Sequence, residues 1–320
     1  MTSAKPLLYV SRLLPDPVMA AVRAQYDLLH EPSNDPAAPT ALRQGLSKAV
    51  AAIVTLTDRI DADTLASARE LKVLANYAVG YNNIDLNAAQ RRGIAVTNTP
   101  DVLTDATADL TWALLLAAAR RVVEGDRLVR SGQWTGWTPT QLLGAAVAGS
   151  IVGIVGMGRI GQAVARRAAG FRMPVIYHSH RAVDAPPGAH WASRDLPDLL
   201  RESDIVTIHV PLTPETRHLI GAPEFALMRR TAILINTARG PIVDESALVT
   251  ALQERTIAGA GLDVFEDEPK IHPHLASLPQ VVLLPHLGSA TLATRVEMGM
   301  ICLKNIEAIL AGRPAPNRVA

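Results

Sequence analysis

Three observations predict an α/β protein built from two doubly wound parallel-sheet units. Short apolar runs of strand length alternate with helix-patterned segments along almost the whole chain, and strand–helix alternation is the signature of a parallel sheet. The alternation breaks once, at a long helical pattern followed by a loop rich in Gly, Trp, Thr and Pro at 131–144, and then restarts. The 320 residues suffice for two domains at roughly 150 residues each.

In the first unit, residues 7–10, 50–56, 73–77 and 94–96 read as strands. After Pro100 the pattern over 106–123 reads as one long helix. The second unit takes its strands from 151–155, 174–177, 205–210, 232–236, 261–265 and 281–284, with a helix at 160–169. The tail, 291–312, has helical spacing, with Leu292, Val296, Met300, Leu303, Ile306 and Leu310 as its apolar stripe, and is expected to pack back onto the first unit. The expected domains are therefore 1–100 plus 287–320, and 101–286.

Composition excludes several classes. Hydrophobic residues are 48% and charged residues 19%, which rules out disorder for most of the chain. Lys+Arg 31 against Asp+Glu 30 leaves a formal charge of +1, with no basic surplus for a phosphate backbone, so nucleic acid is not expected as a partner. Cys302 is the single cysteine, which excludes an intramolecular disulfide and a Cys-rich metal site and points to a reducing, cytoplasmic setting. No targeting segment is expected, because Arg12 and Pro15 interrupt the N-terminal apolar run. The most apolar stretch, 110–119, is ten residues long, and a bilayer needs about 20. No metal site is expected; His272-Pro273-His274 reads as a surface loop.

Gly156-Met157-Gly158-Arg159-Ile160-Gly161 fits G-x-G-x-x-G. Alone the pattern is weak. Here a strand precedes it and a helix follows it, which is the context of a dinucleotide loop. Gly156 would allow the tight turn, Gly158 the approach of backbone to a pyrophosphate, and Gly161 close helix–strand packing. The helix N-terminus would supply N–H groups to the anion. At the end of the next strand, NAD-specific loops usually carry an acid for the ribose hydroxyls. This chain has Ser179-His180-Arg181, and its nearest carboxylate is Asp184. Without the acid a 2′-phosphate meets no repulsion, and Arg181, with His180 when protonated, could pair with it. The pattern favours NADP(H), with NAD(H) as the alternative.

Ligands of open α/β sheets bind outside the carboxyl ends of strands. Three polar residues stand there: Arg239 after the strand ending at Asn236, Glu268 after Phe265, and His286 after Leu284. Beside a nicotinamide they suit carbonyl reduction. His286 as imidazolium would protonate the carbonyl oxygen. Glu268 would favour its charged form, and the planar fork of Arg239 would face a carboxylate and carbonyl.

Taken with the stretches Val79-Gly80-Tyr81-Asn82-Asn83-Ile84-Asp85, Thr107-Ala108-Asp109-Leu110, Val210–Arg217, Asn236–Gly240, Leu262–Pro269 and Pro285–Ala290, the chain resembles the D-isomer-specific 2-hydroxyacid dehydrogenases, and within them the glyoxylate/hydroxypyruvate reductase branch. The resemblance covers about residues 70–300. It implies a flavodoxin-like substrate domain and a Rossmann dinucleotide-binding domain. It implies that Arg239, Glu268 and His286 are the substrate arginine, supporting glutamate and acid/base histidine. It places the Val79 and Gly80 N–H groups on the substrate carboxylate. It assigns Arg159 and Ile160 to the cofactor phosphates, Pro211 and Thr216 to the adenine side, Thr237 and Arg239 to the flanks of the nicotinamide, Asp263 to its carboxamide, and Gly288 to the meeting point of substrate and nicotinamide. It further implies a homodimer through the helix at 106–123 and the loop after it, with Trp137 either reaching the neighbour's substrate site or buried as a loop anchor. Glu268 in place of Gln sets the chain apart from formate-oxidising relatives.

Two functions follow. The first is NAD(P)H-dependent reduction of short 2-oxo acids, glyoxylate to glycolate and hydroxypyruvate to D-glycerate. The alternative is a dinucleotide-sensing, co-repressor-like binding protein on the same fold.

Overall fold

The computed structural model describes residues 5–320. The chain divides into two compact units: one takes the chain up to Leu103 together with Ser289–Ala320, the other Thr104–Gly288.

The first unit holds a five-stranded parallel sheet of β1 (Leu7–Val10), β2 (Asp27–Leu28), β3 (Ala51–Val54), β4 (Val73–Asn76) and β5 (Ala95–Thr97), in the order β2-β1-β3-β4-β5. This is the flavodoxin order. Every residue of β3, β4 and β5 is buried, as a parallel sheet covered on both faces requires. Helices α1 (Asp16–Gln25), α2 (Pro39–Lys48), α3 (Ala62–Leu65) and α4 (Leu86–Arg91) form the crossovers. Proline opens α1 and α2, and the carboxylates of Asp61 and Asp85 accept the first free N–H groups of α3 and α4, each cap worth about 1 kcal/mol.

The C-terminal helix, Leu292–Leu310, is capped by Thr291 and belongs to this unit. Its Met298, Cys302, Leu303 and Ile306 share a core with Leu8, Val10, Val18, Met19, Val73 and Ala75. The expected stripe needs correction: Leu292 is 71% and Met300 44% exposed. Leu303 and Ile306 of that stripe are buried and Val296 and Leu310 pack against the same core, but the buried face also takes in Met298, Gly299 and Cys302. Part of that face leaves no apolar signal in the sequence because a glycine, Gly299, meets Val18 of α1. A Cβ on Gly299 would stand 2.5 Å from both methyls of Val18.

The second unit begins with α5 (Thr104–Ala119) and α6 (Val122–Arg130), where one helix was expected. Arg121 breaks it with φ 53° and pairs with Glu124 at 2.7 Å. Seven parallel strands follow: β6 (Val152–Val155), β7 (Val175–His178), β8 (Trp191–Ser193), β9 (Ile205–Ile208), β10 (Ile233–Asn236), β11 (Gly259–Leu262) and β12 (Val281–Leu283). Between them lie α7 (Arg159–Ala168), α8 (Leu196–Glu202), α9 (Ala222–Leu227) and α10 (Glu245–Gln253). The sheet order is β12-β11-β10-β9-β6-β7-β8. Counted from β6 this is the Rossmann order with one more strand at the β12 edge. The order reverses between β6 and β9, so their carboxyl ends flank the switch point where such sheets bind ligands. Among the described residues no helix is long and apolar enough to cross a membrane.

Replacing Gly299 by Ala is expected to force α1 and the C-terminal helix apart and to cost about 1–3 kcal/mol, the usual range for overpacking. Urea unfolding should show a lower midpoint; an unchanged midpoint would contradict the packing described.

Candidate active site

The carboxyl ends of β6 and β9 meet closely. Gly156 has φ 102°, and a Cβ there would lie 2.6 Å from the His209 carbonyl carbon and 2.7 Å from the Val210 nitrogen. Only glycine fits. A Cβ on Gly161 would lie 2.1 Å from the Gly156 carbonyl oxygen, so α7 sits directly on the turn. Gly158 differs: a Cβ there would meet nothing within 4 Å. It is the N-cap of α7 and offers no side-chain cap, so the first-turn N–H groups of Ile160 and Gly161 are placed to meet an anion. His209 rests its Nε2 2.9 Å from the Thr207 hydroxyl, and burial holds its pKa down to about 3, so a neutral ring stands beside this loop.

Ser179, His180 and Arg181 follow β7, the strand next to β6. Ser179 is half-buried, while His180 and Arg181 are exposed. No ion pair to Arg181 forms among the described residues. The loop from Pro211 to Thr216 is closed by the Thr216 hydroxyl, which donates to the Pro211 carbonyl at 2.7 Å and accepts from the Thr213 N–H at 2.8 Å.

Three neighbouring strand ends, of β10, β11 and β12, carry the charged cluster. After β10, Asn236 folds the chain back: its Nδ2 donates to the Arg239 carbonyl and its Oδ1 accepts from the Ala238 N–H, both at 3.0 Å. Gly240 then passes so close to the segment after β11 that a Cβ would lie 1.9 Å from the Phe265 carbonyl carbon. This contact brings Arg239 within the field of Glu268. Burial lowers the Arg239 pKa and the Glu268 charge works the other way; a guanidinium keeps its proton throughout.

The Glu268 carboxylate accepts from the Phe265 N–H at 3.0 Å through one oxygen and lies 2.9 Å from His286 Nδ1 through the other. Burial would raise its pKa, but the hydrogen bond and charge of His286, the Phe265 N–H and Arg239 together hold it below the usual carboxylate range. With Nδ1–H given to Glu268, Nε2 is the nitrogen left for other chemistry.

His286 has φ 55°, a left-handed conformation that costs a non-glycine residue about 1–2 kcal/mol. Asp263 holds it there. Its carbonyl accepts the His286 N–H at 2.9 Å, and its carboxylate oxygens accept the N–H groups of Leu287 at 2.6 Å and Gly288 at 2.8 Å. Burial raises the Asp263 pKa, and the Glu268 charge adds to it, against those N–H groups and His286. Thr107 of α5 donates to the Gly288 carbonyl at 3.0 Å, and the Thr237 and Thr111 hydroxyls lie 2.9 Å apart. Sequence reasoning missed the parts played by Asn236, Gly240, Thr107 and Thr111. The one available signal was an Asn at a strand end with Gly four residues on.

In the first unit, Val79 and Gly80 follow β4 at its carboxyl end and are half-buried. Trp137 lies after α6 and is 79% exposed, which overturns the buried-anchor alternative for it.

Residues 112–288 match the sequence model of the family described as D-isomer specific 2-hydroxyacid dehydrogenase, NAD binding domain. The chain belongs to the D-isomer-specific 2-hydroxyacid dehydrogenases. It is 48% identical to a glyoxylate reductase of Thermococcus litoralis over 98% of this chain and 97% of the relative. It is 49% identical to that of Aeropyrum pernix, over 98% and 96%. Among solved structures it is similar to the TT0316 protein of Thermus thermophilus, at 45% identity and TM-score 0.91, covering 98% of this chain and 100% of that one. It is also similar to an NADPH-dependent glyoxylate/hydroxypyruvate reductase of Sinorhizobium meliloti, solved with NADP and malonate, at 33% identity and TM-score 0.88, covering 99% and 97%.

For this dehydrogenase, Asp263→Asn would set an amide NH2 against one of two buried N–H donors. The expected cost is about 1–3 kcal/mol, with faster hydrogen exchange at Leu287 and Gly288. Unaltered exchange at those two amides would refute the role given to Asp263.

Proposed function

We propose that this dehydrogenase is an NADPH-preferring reductase of short 2-oxo acids, converting glyoxylate to glycolate and hydroxypyruvate to D-glycerate. The observation that carries the reading is the 2.9 Å contact between His286 Nδ1 and the Glu268 carboxylate, with Arg239 close enough to lower the same carboxyl. When bound, the reduced nicotinamide supplies the hydride to the carbonyl carbon. His286 Nε2 gives its proton to the carbonyl oxygen. Glu268 stabilises the imidazolium that must be present before transfer, and Arg239 faces the carboxylate and carbonyl as a planar fork. The Val79 and Gly80 N–H groups receive the carboxylate.

The loop geometry suits a dinucleotide. The open space over Gly158 and the N-terminus of α7 that Gly158 caps fit a pyrophosphate, with Arg159, Ile160 and Gly161 around it. Pro211 and Thr216 line the adenine side. Thr237, Arg239, Asp263 and Gly288 surround the nicotinamide. Ser179, His180 and Arg181 would take the 2′-phosphate; the absent acid and the exposed Arg181 support NADP(H) over NAD(H). Exposed Val122, Val129, Trp134, Trp137 and Leu143 on α6 and the loop after it support a homodimer through that face. The single, buried cysteine suits the cytoplasm.

With glyoxylate and hydroxypyruvate, kcat/KM should be at least about tenfold higher for NADPH than for NADH, the scale of one charge-assisted pair. Arg181→Ala should erase most of that difference. A preference for NADH would remove the phosphate assignment, and a folded, NADPH-binding protein inert toward every 2-oxo acid would remove the reductase assignment.

Glu268→Gln removes the carboxylate that lies 2.9 Å from His286 Nδ1 and holds the ring, so kcat with glyoxylate should fall about tenfold or more while the NADPH KM stays constant. An unchanged kcat would exclude Glu268 from this role.

Gly158→Ala places a methyl where the pyrophosphate would lie, and nowhere near protein. It should weaken NADPH binding about tenfold or more with the melting temperature unchanged. Full affinity in titration calorimetry would contradict the cradle.

A further inference from the structure

We propose that Asn98 and Asn76 are positioning residues for substrate binding: they hold the carbonyls around Val79 and Gly80 so that two consecutive N–H groups are presented to the substrate carboxylate. This rests on the reading that those N–H groups receive the carboxylate.

A peptide unit is planar and trans, so its carbonyl and its N–H point in opposite directions. Fixing one fixes the other. The Ala78 carbonyl, in the same plane as the Val79 N–H, accepts from the Thr99 N–H at 3.0 Å. The Val79 carbonyl, in the same plane as the Gly80 N–H, accepts from Asn98 Nδ2 at 2.8 Å. Both carbonyls are thus drawn toward the segment that follows β5, and both N–H groups are turned away from it. Neither N–H donates to any group among the described residues. Two neighbouring backbone donors left together in this way suit an anion.

Asn76 closes the turn. It ends β4, is fully buried, and donates from Nδ2 to the Gly80 carbonyl at 2.8 Å. Its Oδ1 is held in turn by Asn83 Nδ2 at 3.3 Å, and the same amide reaches the carbonyls of Thr55 at 3.1 Å and Asp58 at 3.2 Å. Asn98 is equally anchored. It is 8% exposed; its N–H donates to the Asn317 carbonyl at 3.2 Å, and its carbonyl accepts from Asn305 Nδ2 at 3.4 Å. The C-terminal segment therefore braces the residue that orients the Gly80 N–H. Neither asparagine need touch substrate. Each acts through the peptide it grips.

The test is Asn98→Asp, which keeps the size and removes the donor, with Asn76→Ala as the second variant in case the first fails to fold. Oxamate, a carboxylate that cannot turn over, is titrated into the NADH- or NADPH-loaded protein by calorimetry. KM and kcat are then measured with glyoxylate and hydroxypyruvate. Oxamate affinity should fall about tenfold, one aligned hydrogen bond to a charge being lost. KM should rise by a similar factor for both substrates, whatever their side chain, while the NADPH KM stays constant and kcat changes much less. Parental oxamate affinity in a folded variant, or a loss confined to kcat or to melting temperature, would overturn the proposal. If the parent enzyme reduces no 2-oxo acid, the reductase reading fails on its own, and the calorimetric comparison still decides the part played by Asn98.

Discussion

The pairing of Glu268 with His286 is the constraint around which the charged cluster at the strand ends of the second unit is arranged. A half-buried carboxylate is tolerable only if it is paired and hydrogen-bonded, and Glu268 has both an imidazole and the Phe265 N–H. The imidazole reaches it only because His286 adopts a left-handed backbone. That conformation persists because Asp263 accepts three consecutive N–H groups, those of His286, Leu287 and Gly288. Asp263 in turn follows β11 and is completely buried. Local strain is thus offset by hydrogen bonds of a rigid neighbour, the usual arrangement at sites that must be organised before substrate arrives.

Sheet topology explains why these groups can meet at all. All strands of each sheet run parallel, so loops leaving their carboxyl ends gather on one edge. In the second unit, the ends of β6 and β9 carry the nucleotide turn, and those of β10, β11 and β12 carry the charged cluster. Contacts without side chains then set the spacing. Gly156 against His209, Gly161 against Gly156, and Gly240 against Phe265 are places where a methyl group would not fit. In the first unit the same edge holds the Val79–Gly80 turn, shaped by amide side chains rather than by charge.

The sequence displays these features unevenly, for physical reasons. Strands buried on both faces are unbroken apolar runs, so β1, β3, β4, β6, β9 and β10 were visible. The edge strands β2 and β8 are two and three residues long and leave no pattern. The split between α5 and α6 was hidden because a basic residue, Arg121, takes the left-handed turn usually signalled by glycine. The Gly-rich turn and Arg239, Glu268 and His286 were legible because each stands just past an apolar run. Their supports were not: Asp263, Asn236, Asn76 and Asn98 act on backbone groups, and a side chain's choice of carbonyl or N–H is written only in three dimensions.

The most direct measurement of the central claim is the tautomer of His286 in the uncharged state, read from the nitrogen chemical shifts of 15N-histidine-labelled protein and assigned by loss of the signal in His286→Asn. With Nδ1–H committed to Glu268 at 2.9 Å, the proton should reside on Nδ1, leaving Nε2 as the bare nitrogen, the one proposed to carry the proton to the substrate. A proton found on Nε2, with Nδ1 bare, would contradict the pairing and the proton route built on it.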